Sequence, residues 1–359
     1  MLQLEARPEP SRLMSWLSPV LALVLTALIA AALFAALGKD PMRGLQVFFV
    51  EPLNGRRAIS EVLLKATPLI IIALGLAMCY RANLWNIGAE GQFLLGCVGA
   101  GAVALWLTEQ GIGLPRTVGV SAVLVGGMLG GMLWAAIVAL LRDRFNANEI
   151  LVSLMLVYVA QQVVNWLVFG PWKDPQGFNM PQSPMFDASL LLPPLLERTR
   201  LHVGFVIAMV AVVVVGVFLF RTYRGFQLQV GGLAPMAARY AGFSPRSALW
   251  TGLLLSGALA GLAGAMEVAG PVRQVTPYLS MGYGFTAIIV CFVGRLHPAG
   301  IVFAGILLSM MLIGGELGQS RLGLPNALSS VLQGLLLLML LVCDTLILNR
   351  LRWRARSPA

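Results

Sequence analysis

Apolar stretches recur along the chain near residues 17–37, 59–80, 87–108, 117–140, 150–169, 202–220, 247–269, 281–294, 298–316 and 325–347, each closed by charges, proline or glycine. A helix needs about 20 apolar residues to cross the hydrocarbon layer of a bilayer. The pattern therefore predicts an all-α polytopic membrane bundle of about ten transmembrane helices. The stretch 281–294 is short for a crossing and is expected to be tilted, re-entrant or buried among other helices, since irregular backbone survives at membrane depth only where protein covers it. Ten spans divide five and five around the segment 170–201, and an odd number per half would make any internal repeat inverted in the membrane.

Composition agrees with this reading. Hydrophobic residues make up 58% of the chain and charged residues 11%, with a mean hydropathy of +0.84. A soluble globule of that balance could not cover its own core with polar surface. The apolar run 17–37 follows Arg7 and Arg12, as a secretory signal would, but it exceeds the signal core of about 7–15 residues, so a retained first helix is expected. One transmembrane domain over 1–359 is the simplest organisation.

The net charge of +10 changes the picture only in where it lies. Basic residues sit at the ends of apolar stretches, which suits the positive-inside rule and not a continuous nucleic-acid-binding face. The densest clusters, Arg221 to Arg246 and Arg350, Arg352, Arg354 and Arg356, fall on one side when the N-terminus is inside. Both termini are then cytoplasmic, with 1–16 and the basic tail 348–359 inside, 170–201 an outer loop and 221–246 a cytoplasmic loop. In that loop, PMAARYAG follows a Gly-Gly break and a Ser-Pro pair opens the next span, which predicts a short helix between spans. A basic loop that merely fixes topology is the plainer alternative.

Cys79, Cys97, Cys291 and Cys343 lie in or beside apolar runs without metal-ligand spacing and read as small core residues. Gly126/Gly130, Gly127/Gly131 and Gly257/Gly261 are four apart, the spacing that lets helix backbones approach closely in lipid. Nothing in the chain calls for a metal or another cofactor. It contains no G-x-x-x-x-G-K-[ST], H-E-x-x-H or G-x-S-x-G, so it has no loop for ATP phosphates and no hydrolase signature. An enzyme is not expected.

Two polar stretches carry candidate chemistry. Arg81 to Gly96 reads RANLWNIGAEGQFLLG and places Asn83, Trp85, Asn86, Glu90 and Gln92 at the start of an apolar run. On a helix Asn86 and Glu90 would share a face and Gln92 would point elsewhere, and Gly88 and Gly91 permit an unwound backbone. These groups either line a polar solute path or cap helix ends and bridge neighbours. The second stretch joins Glu267 to Pro271, Arg273, Gln274, Thr276, Tyr278, Tyr283 and Phe285, whose aromatics suit either a flat ring or the headgroup belt.

Taken in order, RANLWNIGAEGQFLLG, NEILVSLMLVYV, GGLAPMAARYAGFS, GLAGAMEVAG and GYGFTAIIVCFVGRLHP resemble the nucleoside and simple-sugar branch of the ABC-importer permeases, relatives of the ribose and branched-chain amino acid permeases. The likeness runs from about residue 60 to 345, and the NLWNIGAEGQ wording resembles the longer permease of a heteromeric pair. It implies an inner-membrane importer in which this chain works with a second homologous permease, cytoplasmic ATP-binding subunits and an extracytoplasmic substrate-binding protein. It also implies a substrate path at Asn83, Trp85, Asn86, Glu90, Gln92, Tyr283 and Phe285. The matching coupling helix carries Gly232, Pro235, Ala237, Ala238, Arg239, Tyr240, Ala241 and Gly242. The chain departs from the family pattern at Gln229, where a basic residue is common, and at Ala234, where Asn is common. The rival class is an ion-coupled transporter or channel, with Glu90 and Glu267 as proton or cation sites.

Overall fold

A computed structural model describes residues 2–6, 12–111, 113–325 and 327–353. Residues 7–11 of the N-terminal segment, and Arg354 and Arg356 of the basic tail, lie outside the described residues. Among those described, nine helices are long and apolar enough to cross a membrane. The one remaining predicted stretch, 281–294, forms only an 11-residue helix, α11 (Tyr283–Val293), about 16 Å long and too short to span.

The described chain forms two compact units. The smaller is built from both ends of the sequence, Met1–Ala58 and Met310–Ala359. In it α1 (Arg12–Ala36) packs along α13 (Ala327–Leu348), and strand β1 (Leu2–Ala6) pairs antiparallel with β2 (Asn349–Trp353). The Ser18 hydroxyl, fully buried on α1, donates to the Asp344 carboxylate on α13, which settles two polar groups that lipid would penalise. Between the first two spans the sequence pattern offered only a connection. The chain instead forms α2 (Pro41–Leu45), opened by the Asp40 side chain accepting from the Met42 N–H, then a π-turn over Gln46–Val50 and a 3₁₀ turn over Glu51–Leu53. Phe48 of the π-turn lies 5.4 Å from the Phe34 ring, and Arg321 pairs with Glu51 at 2.6 Å.

The larger unit spans Ile59–Ser309. Most of α3 (Arg56–Arg81) belongs to it, followed by α4 (Ala89–Glu109), α5 (Arg116–Phe145), α6 (Glu149–Phe169) and α7 (Gly204–Arg221). Two short helices come next, α8 (Tyr223–Leu233) and α9 (Pro235–Tyr240), then α10 (Pro245–Glu267), α11 and the start of α12 (Pro298–Leu322). Its centre is the packing of α4, α5 and α10. The glycine pairs predicted from spacing lie in this contact: a Cβ at Gly261 would collide with the Gly127 carbonyl, one at Gly130 with that of Leu95, and one at Gly131 with that of Gly257. Backbone meets backbone with no side chain between, so dispersion contact replaces the hydrophobic incentive that lipid removes. α3 and α10 are buried along most of their length, whereas α5, α6 and α7 leave apolar flanks open, among them Leu133, Trp166 and Val213. All four cysteines are free and buried.

The segment 170–201 does not hang free. It lies against the chain that follows α10, with Leu192 N–H bonded to Ala269 C=O, Phe186 N–H to Arg273 C=O and Ser183 N–H to Val275 C=O. α10 itself runs on into a π-turn at Val268–Val272, ended by Arg273 in the left-handed region.

Candidate functional site

The first polar stretch is folded around a break in the helices. α3 stops because Asn83 adopts φ 56°, a left-handed cap that Asn tolerates better than most residues, and the Leu84 N–H closes back onto the Cys79 carbonyl at 2.9 Å. Residues 82–88 are non-helical and α4 begins only at Ala89. Asn86 therefore precedes the helix, and the predicted sharing of a helical face with Glu90 does not occur. Asn86 pairs with Gln92 instead, the residue expected to point away. Asn86 Nδ2 donates to Gln92 Oε1 at 3.0 Å and Gln92 Nε2 donates to Asn86 Oδ1 at 3.1 Å. Asn86 Nδ2 also reaches Ser256 Oγ at 3.1 Å, its Oδ1 accepts from the Gly88 N–H, and its carbonyl accepts from the Tyr80 hydroxyl. Asn86, Gln92 and Ser256 are all buried, so the hydrogen bonds compensate the loss of water for each group.

Glu90 does a different job. α11 starts at Gly282 with φ 87° and no side-chain cap of its own. The buried Glu90 carboxylate accepts from the Gly284 N–H and faces the N–H groups of Gly282 and Phe285 and the Ser280 hydroxyl. A carboxylate there satisfies the orphan donors and complements the positive end of the helix. Gly284 is required for the approach, because a Cβ would overlap the Glu90 backbone. Gly88 ends the non-helical stretch and Gly91 lies inside α4, and each makes a close contact with α6, at Ser153 and at Leu156 and Val157.

Aromatic residues cover the open side of this frame. Trp85, 40% exposed, stacks on Phe292 at 6.3 Å and lies tilted against Tyr80 at 5.4 Å. Phe285 is 41% exposed, and the partly open Ile288, Ile289 and Phe292 continue its stripe along α11. Tyr283, by contrast, is turned inward and accepts a hydrogen bond from Lys65 Nζ at 3.0 Å.

The loop 221–246 holds two helices where one was expected. α8 continues through Gly231 and Gly232, and the break falls at Ala234 (φ −141°, ψ 72°), after which Pro235 opens α9. Gly232 is held against the Arg81 carbonyl, with no room for a Cβ. α9 ends in a Schellman turn, with the Phe243 N–H on the Ala238 carbonyl, the Gly242 N–H on that of Arg239, and Gly242 at φ 77°. The Ser-Pro pair behaves as predicted: the Ser244 hydroxyl caps the Ser247 N–H and Pro245 is the first residue of α10. Of α9 only Ala238 is buried; Pro235, Met236, Ala237, Arg239 and Tyr240 are exposed, as are Leu233 before it and Ala241 and Gly242 after it. Tyr240 is 94% exposed and Leu233 85%.

Arg81, which opens the first polar stretch, ties this loop to the rest. Its Nε donates to the Leu296 carbonyl at 2.9 Å, its Nη1 donates to Gln229 Oε1 at 2.9 Å, and its guanidinium lies 5.1 Å from the Phe220 ring centre. Gln229 thus supplies an acceptor to a cation that a basic residue would repel.

In the second polar stretch Glu267, Pro271, Tyr278 and Tyr283 come together around a cavity, whereas Arg273, Gln274, Thr276 and Phe285 do not line it. Lys65 and Arg200 join them, and neither was singled out by spacing. Lys65 is the tenth residue of α3 and the last charge before the apolar run that follows it, which is the signal that could have found it. His202, just before α7, is buried, and its Nδ1 accepts from the Gly204 N–H at 3.1 Å. Burial lowers its pKa to about 4.

Comparison with known proteins fits this architecture. The family model described as branched-chain amino acid transport system / permease component matches residues 58–341. The glucose ABC transporter permease protein TsgB13 of Haloferax volcanii is 33% identical, over 96% of this chain and 91% of its own. The guanosine ABC transporter permease proteins NupP and NupQ of Bacillus subtilis are 29% and 25% identical, covering 91% and 75% of this chain and 93% and 85% of theirs. With a polytopic helix bundle, a family match over most of its length and relatives of nearly equal extent, the chain belongs to the branched-chain amino acid transport system permease family and is a membrane permease subunit of an ABC importer.

Proposed function

We propose that the chain forms one half of the path for a nucleoside or simple sugar and that separate cytoplasmic ATP-binding subunits drive it by pressing on α8 and α9. The observation that carries the docking role is the inverted character of α9, whose Met236 and Tyr240 point away from the protein while only Ala238 is covered. Apolar and aromatic side chains beside an Arg are the usual anchors of a protein interface. Gly232, Pro235, Ala237, Ala238, Arg239, Tyr240, Ala241 and Gly242 make up this contact.

For the path, Trp85 and Phe285 offer flat apolar faces to a base or sugar, and Asn83, Asn86, Glu90, Gln92 and Tyr283 hold the backbone that presents them. The open aromatic stripe faces a second, homologous permease. Relatives named as two guanosine permease proteins in one bacterium support such a pair. A substrate-binding protein outside the membrane delivers the solute. The setting is a bacterial cytoplasmic membrane, with both termini inside. The pairing of β1 with β2 supports a common side for the two ends, and the basic clusters favour the inner one.

Coupling is mechanical. Closure of the ATP-binding subunits displaces α8 and α9, and the Arg81 contacts with Gln229 and Leu296 pass the movement to the 82–88 linker that carries Trp85. Replacing Arg239 and Tyr240 together by Ala tests this in the assembled transporter. Solute-stimulated ATP hydrolysis and uptake should both fall at least tenfold, and unchanged values would refute the docking role.

A further inference from the structure

We propose that the cavity at the C-terminal end of α10 is a binding subsite for one neutral polyhydroxylated ring, the sugar portion of the transported solute. The inference rests on the importer reading and gives one defined cavity to a stretch whose aromatics suited either a flat ring or the headgroup belt.

The cavity has a volume of about 150 Å³ and brings together Lys65, Arg200, Glu267, Tyr278, Met281 and Tyr283. At roughly 30 Å³ per water it holds about five waters. That is room for a single small ring and too little for a whole two-ring nucleoside, since complete ligand sites run to about 300 Å³ and more.

Charge decides the class of ligand. Arg200 grips Glu61 with two parallel bonds, Nε to Oε1 at 3.0 Å and Nη2 to Oε2 at 2.6 Å. Arg200 is thus neutralised by Glu61, and Lys65 shares the cavity with the Glu267 carboxyl group. A phosphate or an ammonium would leave this low-dielectric place with an uncompensated charge, which is costly. Hydroxyl groups would not. A carboxylate only accepts, an ammonium only donates, and a sugar hydroxyl does both, so neighbouring hydroxyls can bridge Glu267 and Lys65 without changing the charge. Tyr283 already accepts from Lys65 Nζ at 3.0 Å and fixes that donor beside the cavity. Glu267 is partly open although Met266 and Val268 on either side are buried, so it faces the cavity space. Tyr278, 87% exposed, stands at the rim with a ring on which the apolar face of a sugar can lie.

The buried native cysteines leave the surface silent to thiol reagents, so Tyr278→Cys can report the rim. Vesicles bearing the assembled transporter with this substitution are labelled by a membrane-impermeant maleimide, with ribose or ribose 5-phosphate present at millimolar concentration and no ATP. Ribose should slow labelling at least threefold, ribose 5-phosphate should not, and adding Glu267→Gln should abolish the protection. Absence of labelling, absence of protection by ribose in Tyr278→Cys alone, equal protection by the phosphate, or protection that survives Glu267→Gln would each overturn the proposal. The assay needs no ATP. If uptake proved independent of ATP hydrolysis, the importer reading would fail while the labelling result still judged the cavity.

Discussion

The linker and α4 start at 82–92 and the α8–α9 pair invert each other. In the first, amide and carboxylate side chains lie deep in the bundle, and Asn86, Gln92, Ser256 and Glu90 have partners that leave them almost no access to solvent. In the second, Leu233, Met236 and Tyr240 stand in the open with little of the described chain over them. A polar group at depth is tolerated when its partners are inside the same chain, so the first region is complete as it stands. Apolar groups in the open are tolerated when something else covers them, so on the proposed docking role the second is complete only in an assembly. The difference separates a frame from an interface.

Breaking the frame should have the largest effect. Gly284→Leu forces a side chain into the Glu90 backbone, where neither partner can move aside. Overpacking costs about 1–3 kcal/mol even where side chains can yield, so here monodisperse protein should be lost from size-exclusion chromatography; a normal yield would show that α11 is not seated on α4. Asn86→Leu comes next. It strands the Gln92 amide and the Ser256 hydroxyl without their partner, for about 2–3 kcal/mol of stability, measurable as a lowered midpoint of thermal unfolding in detergent. An unshifted midpoint would mean that water already serves those groups.

The interface should respond the other way. Replacing Leu233 and Met236 together by Ser should weaken binding of the ATP-binding subunit about tenfold or more while leaving the thermal midpoint of the isolated chain unchanged. A fall in that midpoint would make α9 part of the frame after all. The smallest effect belongs to His202, a buried polar group that its surroundings satisfy only when it is neutral. Its pKa is about 4 in the folded chain against an ordinary 6.5, so the unfolded chain binds the extra proton first. Stability should be full above pH 6.5 and fall as pH drops toward 4, by about 1 kcal/mol at pH 5.5. His202→Asn, whose carbonyl can still accept from the Gly204 N–H, should flatten that dependence, and thermal melts at pH 7.5 and 5.5 would reveal it.

Much of the frame was legible in the sequence for one physical reason: hydropathy and small-residue spacing are local in the chain. The long spans, the short 281–294 stretch, the glycine contacts among α4, α5 and α10 and the Ser-Pro start of α10 all follow from residues within a turn or two of each other. What spacing missed depends on partners far along the chain. Asn86 and Glu90 were assigned a common helical face because nothing local announces that α3 ends at Asn83 and α4 starts only at Ala89. The Glu90 carboxylate finds its donors nearly two hundred residues away on α11. Gln229 looked like a flaw until Arg81 was seen to donate to it. Lys65 and Arg200 reach the Glu267 cavity from two other elements, so no single stretch of sequence carried the cluster. The linker and α9 both stood out as motifs, but their opposite burial appears only once they are folded.

The central claim is that α9 is the surface through which ATP-binding subunits act. A photo-crosslinking amino acid placed at Tyr240, and separately at Trp85, in the assembled transporter tests it directly. Irradiation should join position 240 to the ATP-binding subunit and position 85 to no ATP-binding subunit. An adduct from position 85 to that subunit, or none from position 240 in a transporter that still takes up solute, would contradict the account.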